Sequence, residues 1–508
     1  MIVGLFLVVV FLTIVINRWK SWRILKLSRQ LQNKFKAYPL VGHGYVFSGS
    51  DVDRMTAFIQ FGLEAIKNNG VTSLWLGLDF YTVIADAVIA DKVMKSCLEK
   101  SNLSDVIRHL LGNGSIFAPV KVWRPRRKVV APTFSQKNLQ TFVEIFSKQS
   151  CILAERLSLV ADKEAFSVWK YFTTFTMDSV CETALGIKVN AQTQPDQPFL
   201  AAFDEYCELI AARMCQPWLR INALYKLFPD SKKLDKYKKL IWDYVDKVVK
   251  SKLANKKHLP PDENAKAYKT FLELIIESSG SRCFTNVELR EETLVIVLAG
   301  TDTSAVGASF TSAMLSRYME VQNKVYDELC EVFGDSRRPV TCTDLPKLKY
   351  LEAVIKETMR LYPPVPIISR KIDKDITLPS GLTLVKETDA IINIWALHRN
   401  PRYWGEDATE FRPERFLEGP IEHPAAFMPF SNGARNCLGY QYAMMAMKTV
   451  LATVLRRYCF LPAEPNATEA DLRKPLRVKY DVMMRNVDNY MVRIESRCKS
   501  SADTLVEI

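Results

Sequence analysis

One stretch near the C-terminal end, FSNGARNCLG, restricts the fold and chemistry of this chain more than any other. It places a single cysteine, Cys437, between Gly433 and Gly439, with Phe430 and Arg435 close by. A disulfide needs a partner cysteine, a zinc site needs several ligands, and a buried structural thiol needs no flanking glycines. The pattern therefore indicates a cysteine that is held in a special backbone conformation to bind something.

The cysteines as a set do not form a recognisable framework. The chain of 508 residues has 11 of them, an odd number at irregular spacing and without a CxxC motif. This argues against disulfides and zinc clusters and for a reducing compartment. The net charge of +13 allows an acidic partner or an anionic membrane surface. No zinc-finger, basic-zipper or RNP-like motif supports binding to nucleic acid.

The residues around Cys437 suit a thiolate that must stay deprotonated, dry and well oriented. Helical periodicity starts at Leu438, so we expect Cys437 at a helix N-terminus, where the dipole and free N–H groups favour negative charge. Glycines let backbone N–H groups approach the sulfur closely. Phe430 can shield it, and Arg435 can pair with an acidic group of a cofactor. A single thiolate ligand to haem iron requires these features.

The pattern FxxGxRxCxG resembles the haem-binding signature of cytochrome P450 monooxygenases, and the resemblance extends over nearly the whole chain. It implies a haem b cofactor, with Cys437 as the metal ligand and Phe430, Gly433, Arg435 and Gly439 around it. The alternative is a buried, inert cysteine. Three further motifs argue against that alternative. They lie before Cys437 in the chain, in the same order as in the family.

Periodicity predicts a mainly helical fold with a minor β component. Helical patterns cover about 134–257 and 266–362, with a loop at His258–Asp262 between them. Strands are predicted over Val71–Ala90 and within 365–394, and DVMMRNVDNYMVRI predicts a strand, a turn and a strand. We therefore expect one large domain over 43–508, which the resemblance implies is a haem-thiolate monooxygenase domain.

The segment EETLVIVLAGTDTSA predicts an apolar helix that opens with a capping box, Thr285-x-x-Glu288. Gly300 in mid-helix costs about 1 kcal/mol relative to alanine, so it needs a reason. The polar residues Asp302 and Thr303 inside an apolar run also need an explanation. One interpretation is a close helix crossing with Thr303 bonded back to its own helix.

The resemblance gives a second interpretation, because AGxDT lies over the haem in the family. The helix would loosen at Gly300 to accept dioxygen, Thr303 would hydrogen-bond the oxygen species, and Asp302 would relay protons to it. Many members of the clan that includes fatty-acid ω-hydroxylases carry a glutamate that forms an ester with haem, where this chain has Ala299. We therefore expect that haem binds non-covalently. The departure also weakens the inference that the enzyme hydroxylates terminal carbons strictly.

The segment VWRPRRK matches the WxxxR helix of the family through Trp123 and Arg127. The resemblance implies that these two side chains hold one haem propionate. Arg370 and Arg435 occupy positions that commonly bind the propionates as well. Charge-assisted bonds to arginine would replace the hydration that buried carboxylates lose.

The segment KETMRLYPPVP contains Glu357-x-x-Arg360, a spacing that is common on helix surfaces. FRPERF follows, and in the family its arginine, here Arg415, joins the Glu–Arg pair. The resemblance implies a buried structural triad that fixes the loop carrying the cysteine.

The N-terminal residues 2–16 are uncharged and apolar, and seven Lys or Arg residues follow between Arg18 and Lys36 without an acid. This pattern predicts an uncleaved signal-anchor over 1–22 and a basic linker over 23–42, with the body on the cytosolic side of the endoplasmic reticulum membrane. A cleaved signal peptide is the alternative, but its charge would precede the apolar run.

Partners follow from the same resemblance. We expect O2, an apolar small-molecule substrate and an NADPH–cytochrome reductase, with cytochrome b5 as a further candidate donor. A basic surface would bind the acidic reductase, with a merely solvated basic face as the alternative; its members would be Arg124, Arg126, Lys128 and Lys448. Substrate contacts would come from 103–120, 208–219, the AGTDT helix, 365–368 and the region of Met483.

The predicted function is an NADPH-dependent monooxygenase reaction that inserts one oxygen atom of O2 into an apolar substrate. A haem-thiolate isomerase or synthase would use the same fold without a reductase, and the intact AGTDT motif argues against it. A non-catalytic haem-binding protein is the third alternative. Turnover of NADPH that depends on a reductase distinguishes the monooxygenase from both.

Overall fold

The computed structural model describes residues 21–194, 197–256, 269–278 and 284–497. Within these ranges the chain is predominantly helical, as the periodicity predicts. The helices are α1 (21–30), α2 (Asp51–Lys67), α3 (Ala87–Ser96), α4 (Asp105–Leu111), α5 (Val120–Val130), α6 (Gln136–Leu157), α7 (Trp169–Val180), α8 (Pro198–Cys215), α9 (Pro217–Arg220), α10 (Asn222–Tyr225), α11 (Pro229–Lys256), α12 (Phe271–Ser278), α13 (Asn286–Arg317), α14 (Met319–Phe333), α15 (Lys349–Leu361), α16 (Ile394–Leu397), α17 (Pro401–Trp404), α18 (Tyr440–Leu455) and α19 (Glu469–Arg473). The strands are β1 (Val71–Leu76), β2 (Asp79–Ile84), β3 (Phe166–Ser167), β4 (Ile367–Lys371), β5 (Ile376–Thr377), β6 (Thr383–Leu384), β7 (Asp389–Asn393), β8 (Tyr458–Pro462), β9 (Val478–Asp481), β10 (Met483–Asn486) and β11 (Met491–Ser496).

The helix α13 lies at the centre of the fold. The capping box is confirmed, since Thr285 accepts from the Glu288 N–H and Glu288 accepts from the Thr285 N–H. The helix packs against α7, α15 and α18. Among the described residues it alone is long and apolar enough to cross a membrane, but 78% of its apolar window is buried inside the protein. This burial is typical of a core helix.

A four-stranded sheet in the order β1-β2-β7-β4 covers a second, smaller apolar core. Its β2–β7 pairing is parallel and its other pairings are antiparallel. The strand prediction for Val71–Ala90 is wrong at its end, where α3 starts at Ala87. The reason is local, because the Asp86 side chain accepts from the Ile89 N–H and caps that helix.

The predicted strand, turn and strand near the C-terminal end are confirmed as β10, residues 487–490 and β11. The strands β10 and β11 do not pair with each other; β10 pairs with β9, and β11 pairs with β8 and β3. The tight turn therefore falls at Val482, which has a φ of 65°. The predicted loop at His258–Asp262 lies outside the described residues, and so does the predicted anchor except for its last two residues, which belong to α1.

Candidate active site

A single cavity of about 390 Å³ collects most of the predicted site residues. Its wall is mostly apolar and comes from α4 and the loop after it, α5, α8, α13, residues 364–369, the turn between β9 and β10, and the loop at 429–439. Each segment that was predicted to contact substrate contributes to this wall. The predicted site residues in it are Trp123, Arg127, Ala299, Gly300, Thr303, Phe430, Arg435, Cys437 and Gly439.

The cysteine loop is built around one glycine that cannot be replaced without a clash. Gly433 has a φ of 71°, and a Cβ atom there would lie 2.7 Å from the backbone oxygen of Met94. At Gly439 a Cβ atom would lie 3.8 Å from the Cys437 sulfur, an ordinary contact. Close approach therefore explains Gly433, whereas nothing in the packing requires glycine at 439.

Cys437 is surrounded by protein but keeps accessible surface, because its side chain faces the cavity. Burial raises the pKa of its thiol, while a hydrogen bond from the Gly439 N–H and the positive charge of Arg127 oppose that shift. The backbone N–H of Cys437 donates to the Phe430 oxygen at 2.9 Å. The helix prediction was early by two residues: α18 begins at Tyr440 with Gly439 as its N-cap, so Cys437 lies in the turn before the helix.

Arg370, Arg435 and Lys100 lie close together, and the last two line one side of the cavity. Arg370 is fully buried; its Nη1 donates to the Ser369 oxygen, and its Nε and Nη2 atoms are buried without a partner. Burial, and then the charge of Arg435, lower the pKa of Arg370 to about 10. Lys100, which also lines the cavity, has its pKa lowered well below the ordinary range by burial and by both arginines.

Buried cations with orphaned donors require an anion. The two carboxylates of a haem group would fit this requirement, and Cys437 faces the same cavity, where its sulfur could bind the iron. Arg435 donates to the backbone oxygens of Leu98 and Ala118 at 2.8 Å each, and its guanidinium lies 4.7 Å from the centre of the Trp123 ring. The residues present therefore fit haem.

Arg127 lines the cavity, and its predicted bond to a haem propionate stays a prediction. Its guanidinium donates to the backbone oxygen and to Oδ1 of Asn436, at 2.7 and 2.6 Å. Asn436 offers two oxygen acceptors within reach of this planar group, which explains the pairing. In this arrangement Arg127 ties α5 to the cysteine loop.

On α13, Ala299, Gly300 and Thr303 face the cavity. The expected loosening at Gly300 is absent, since α13 is α-helical throughout its length. Thr303 Oγ1 donates to the Ala299 oxygen at 2.7 Å, which satisfies that carbonyl within the helix. Gly300 has a packing reason as well, because a Cβ atom there would lie 3.0 Å from Val180.

Asp302 does not line the cavity. It accepts from Arg485 on β10 at 2.7 Å, and the same nitrogen donates to Asp204 on α8 at 2.8 Å. Burial raises the pKa of Asp302 to about 6, although Arg485 opposes the shift. Arg485 also lies 4.2 Å from the centre of the Trp169 ring. The prediction from sequence missed Arg485 and Asp204; an arginine alone in the apolar strand DVMMRN was the available signal.

The predicted structural triad is present. Arg360 donates to both carboxylate oxygens of Glu357 at 2.6 and 2.7 Å, and both side chains are fully buried. Arg415 lies 3.4 Å from Glu357 but pairs more closely with Asp407, at 2.7 Å.

The predicted basic surface is partly wrong. Arg126 is buried and pairs with Glu288, Glu291 and Glu292, at 3.0–3.3 Å. Lys448 is buried and pairs with Glu352 at 2.8 Å. Arg124 and Lys128 remain exposed on α5.

This combination of fold and site fits a haem-thiolate protein in which Cys437 faces a mostly apolar cavity. The sequence profile of the family described as Cytochrome P450 matches residues 64–490. Mouse Cytochrome P450 4V2 is 32% identical over 484 residues, 92% of this chain and 90% of the relative. Fruit-fly Cytochrome P450 4d2 is 31% identical over 482 residues, 91% of this chain and 95% of the relative.

The chain belongs to the cytochrome P450 family. It is a haem-thiolate monooxygenase, an oxidoreductase that requires O2, a redox partner and a small-molecule substrate.

Proposed function

We propose that this monooxygenase oxidises an apolar small molecule that binds in the cavity faced by Cys437 and Thr303. The observation that carries the proposal is the cavity itself, since one continuous and mostly apolar space contains both groups in its wall. Burial of apolar surface at about 25 cal/mol per Å² then supplies the binding energy. The resemblance to the clan that includes fatty-acid ω-hydroxylases favours a lipid.

Haem supplies the activation of oxygen when it is bound. In our proposal Cys437 would ligate its iron through sulfur, and Arg370, Arg435 and Lys100 would hold its two carboxylates, with Trp123 packed against Arg435. The unpartnered Nε and Nη2 atoms of Arg370 support this role. Ala299 has no carboxylate to form an ester, which supports non-covalent binding.

Protons would reach the cavity through Asp302 and Thr303. The raised pKa of Asp302, about 6, lets its carboxyl exchange a proton near neutral pH. Arg485 stays protonated and pairs with both Asp302 and Asp204, so Asp302 lies near a carboxylate that is partly exposed to solvent. The Thr303 hydroxyl then holds the proton at the cavity wall.

Replacing Thr303 with alanine tests this assignment. We expect product formed per NADPH consumed to fall about tenfold, because general acid catalysis by one positioned group contributes at least that much. The matched control is Thr311→Ala, since Thr311 makes the same bond to its own helix, at 2.8 Å to the Gly307 oxygen. Equal coupling in the two variants would refute the role of Thr303.

The reductase would bind beside α5. Arg127 of this helix contacts Asn436, which precedes Cys437, so electrons would arrive close to the ligand. The exposed cations that support this site are Arg124 and Lys128. NADPH–cytochrome reductase is the proposed donor, and cytochrome b5 is the second candidate.

Reversing both charges, Arg124→Glu and Lys128→Glu, should slow reduction by the reductase about tenfold at low salt, since steering by opposite charge accounts for rate factors of 10–10³. Reduction by dithionite should not change. A control pair, Lys236→Glu and Lys239→Glu, alters exposed cations on α11, which packs on α8 and α13. Similar slowing in both pairs would mean that only net charge matters.

We further propose that residues 1–22 anchor the chain in the endoplasmic reticulum membrane and that residues 43–508 form the cytosolic catalytic domain. Residues 23–42 would link the anchor to this domain. Exposed apolar side chains support membrane contact, notably Leu227, Leu40 and Leu78 at 81%, 76% and 75% exposure. The segments of Leu40 and Leu78 meet α9 near Gly77, where a Cβ atom would lie 3.0 Å from Pro217. Release of the protein from microsomes by alkaline carbonate would contradict the anchor.

A further inference from the structure

Among the described residues, no hydrogen bond or ion pair joins the Glu357–Arg360 pair to the cysteine loop at 429–439. Besides Glu357, the Arg360 guanidinium donates to the backbone oxygens of His398, Ala408 and Glu410. All of these partners precede the loop in sequence. A connection between the pair and the loop must therefore pass through another residue.

His398 provides that connection. It is fully buried; its Nδ1 donates to the Arg360 backbone oxygen at 3.1 Å, and its Nε2 accepts from the Met428 N–H at 2.9 Å. Its ring stacks on Phe427, with the centres 5.3 Å apart. One imidazole thus joins α15 to the residues that lead into the cysteine loop.

Only one form of the ring satisfies both partners. A carbonyl requires a proton on Nδ1, and a backbone N–H requires a lone pair on Nε2, so the imidazole is neutral and in a single tautomer. The surroundings favour that form. Burial, and then the charges of Arg360 and Arg399, lower the pKa of His398 to about 3.

The chain of hydrogen bonds continues to the ligand. The Met428 oxygen accepts from the Ser431 N–H at 3.0 Å, and the Phe430 oxygen accepts from the Cys437 N–H at 2.9 Å. Ser431 has a φ of 66°, a strained conformation for a residue with a side chain. Such a conformation persists only where the surroundings enforce it, and the bond from Met428 to His398 fixes the start of this turn.

We propose that His398 is a positioning residue for the thiolate, which couples the Glu357–Arg360 pair to the Cys437 loop through its neutral imidazole. The proposal rests on the assignment of Cys437 as the haem ligand. Residues that orient a ligand through hydrogen bonds usually affect metal binding strongly when they are replaced.

The test compares His398→Phe with His43→Phe in the full-length protein. Phenylalanine keeps the stacking on Phe427 and removes both hydrogen bonds. His43 is a matched control, because it is also buried and accepts a backbone N–H, that of Trp75, at 2.9 Å, with its other ring nitrogen near the Phe35 oxygen. The readout is the difference spectrum of the reduced protein with carbon monoxide, which separates thiolate from protonated thiol at equal haem content.

We expect His398→Phe to raise the ratio of protonated thiol to thiolate about tenfold. His43→Phe should leave the ratio unchanged, even where it lowers thermal stability. An unchanged ratio in His398→Phe, or an equal change in both variants, would overturn the proposal. Wild-type protein without a thiolate band would instead overturn the assignment of Cys437.

If His398→Phe fails to take up haem, His398→Gln and His398→Asn decide the question. The glutamine oxygen reaches the position of Nε2 and can accept from Met428, whereas the shorter asparagine cannot reach it. A thiolate band in the glutamine variant and its loss in the asparagine variant would support the proposal. Equal spectra in these two variants would overturn it.

Discussion

Cys437→Ala protein is expected to lose the red-shifted thiolate band completely in the reduced, carbon monoxide-bound state, and to lose turnover to the detection limit. The reason is that electron donation from a thiolate supports cleavage of the O–O bond, and alanine offers no ligand atom. The fold should survive, because the side chain faces a cavity. The measurement is the difference spectrum together with product formation.

The control for this experiment is Cys207→Ala. Cys207 is a second thiol in the wall of the same cavity, but it is buried on α8, and burial raises its pKa well above the ordinary value. A buried thiol of this kind remains protonated and should not bind iron. We therefore expect Cys207→Ala to keep the thiolate band. If Cys207→Ala lost the band and Cys437→Ala kept it, the haem ligand would be Cys207 and the assignment of Cys437 would be wrong.

The cysteine loop could be predicted from sequence because its requirements are local. Gly433 has a positive φ, which is a requirement of the loop itself, whereas its close approach to Met94 on α3 is a long-range contact that the sequence could not show. The capping box at Thr285 is equally local, and the structure confirms it. Prediction of the triad formed by Glu357, Arg360 and Arg415 also required the family resemblance, because the Glu-x-x-Arg spacing alone is common on helices.

The basic surface could not be predicted in the same way. The resemblance groups four cations, on α5 and on the helix after Cys437, into one surface, yet Arg126 and Lys448 are buried against carboxylates. Their partners, among them Glu291 and Glu352, are distant in sequence, so no local pattern reveals them. Exposure of a charged residue depends on tertiary packing, which periodicity describes only on average.

The same limit explains the residues that were missed. Lys100 precedes α4, yet the fold brings it to Arg435 in the cavity wall and close to Arg370, which was predicted from the resemblance. Arg485 meets Asp302 only because the β9–β10 hairpin packs against α13. In each case a long-range contact between separate elements creates the electrostatic environment.

The second large effect concerns stability. Glu357→Gln should lower the free energy of unfolding by about 3–5 kcal/mol, because it leaves the buried Arg360 without its counter-charge. Arg360→Met should cost at least as much, since the backbone oxygens of His398, Ala408 and Glu410 also lose their donor. Urea unfolding, followed through the thiolate band and through circular dichroism, measures both losses.

Asp230→Asn is the matched control for Glu357→Gln, because Asp230 pairs with Lys233 at the same i, i+3 spacing but on an exposed surface. Such pairs contribute only about 0.2–1 kcal/mol, since water solvates each charge when the other is removed. The two substitutions make the same chemical change, so the difference between them isolates burial. If Glu357→Gln costs no more than Asp230→Asn, the pair is not a structural element. The link from α15 through His398 to Cys437 would then lack the rigid support that it needs.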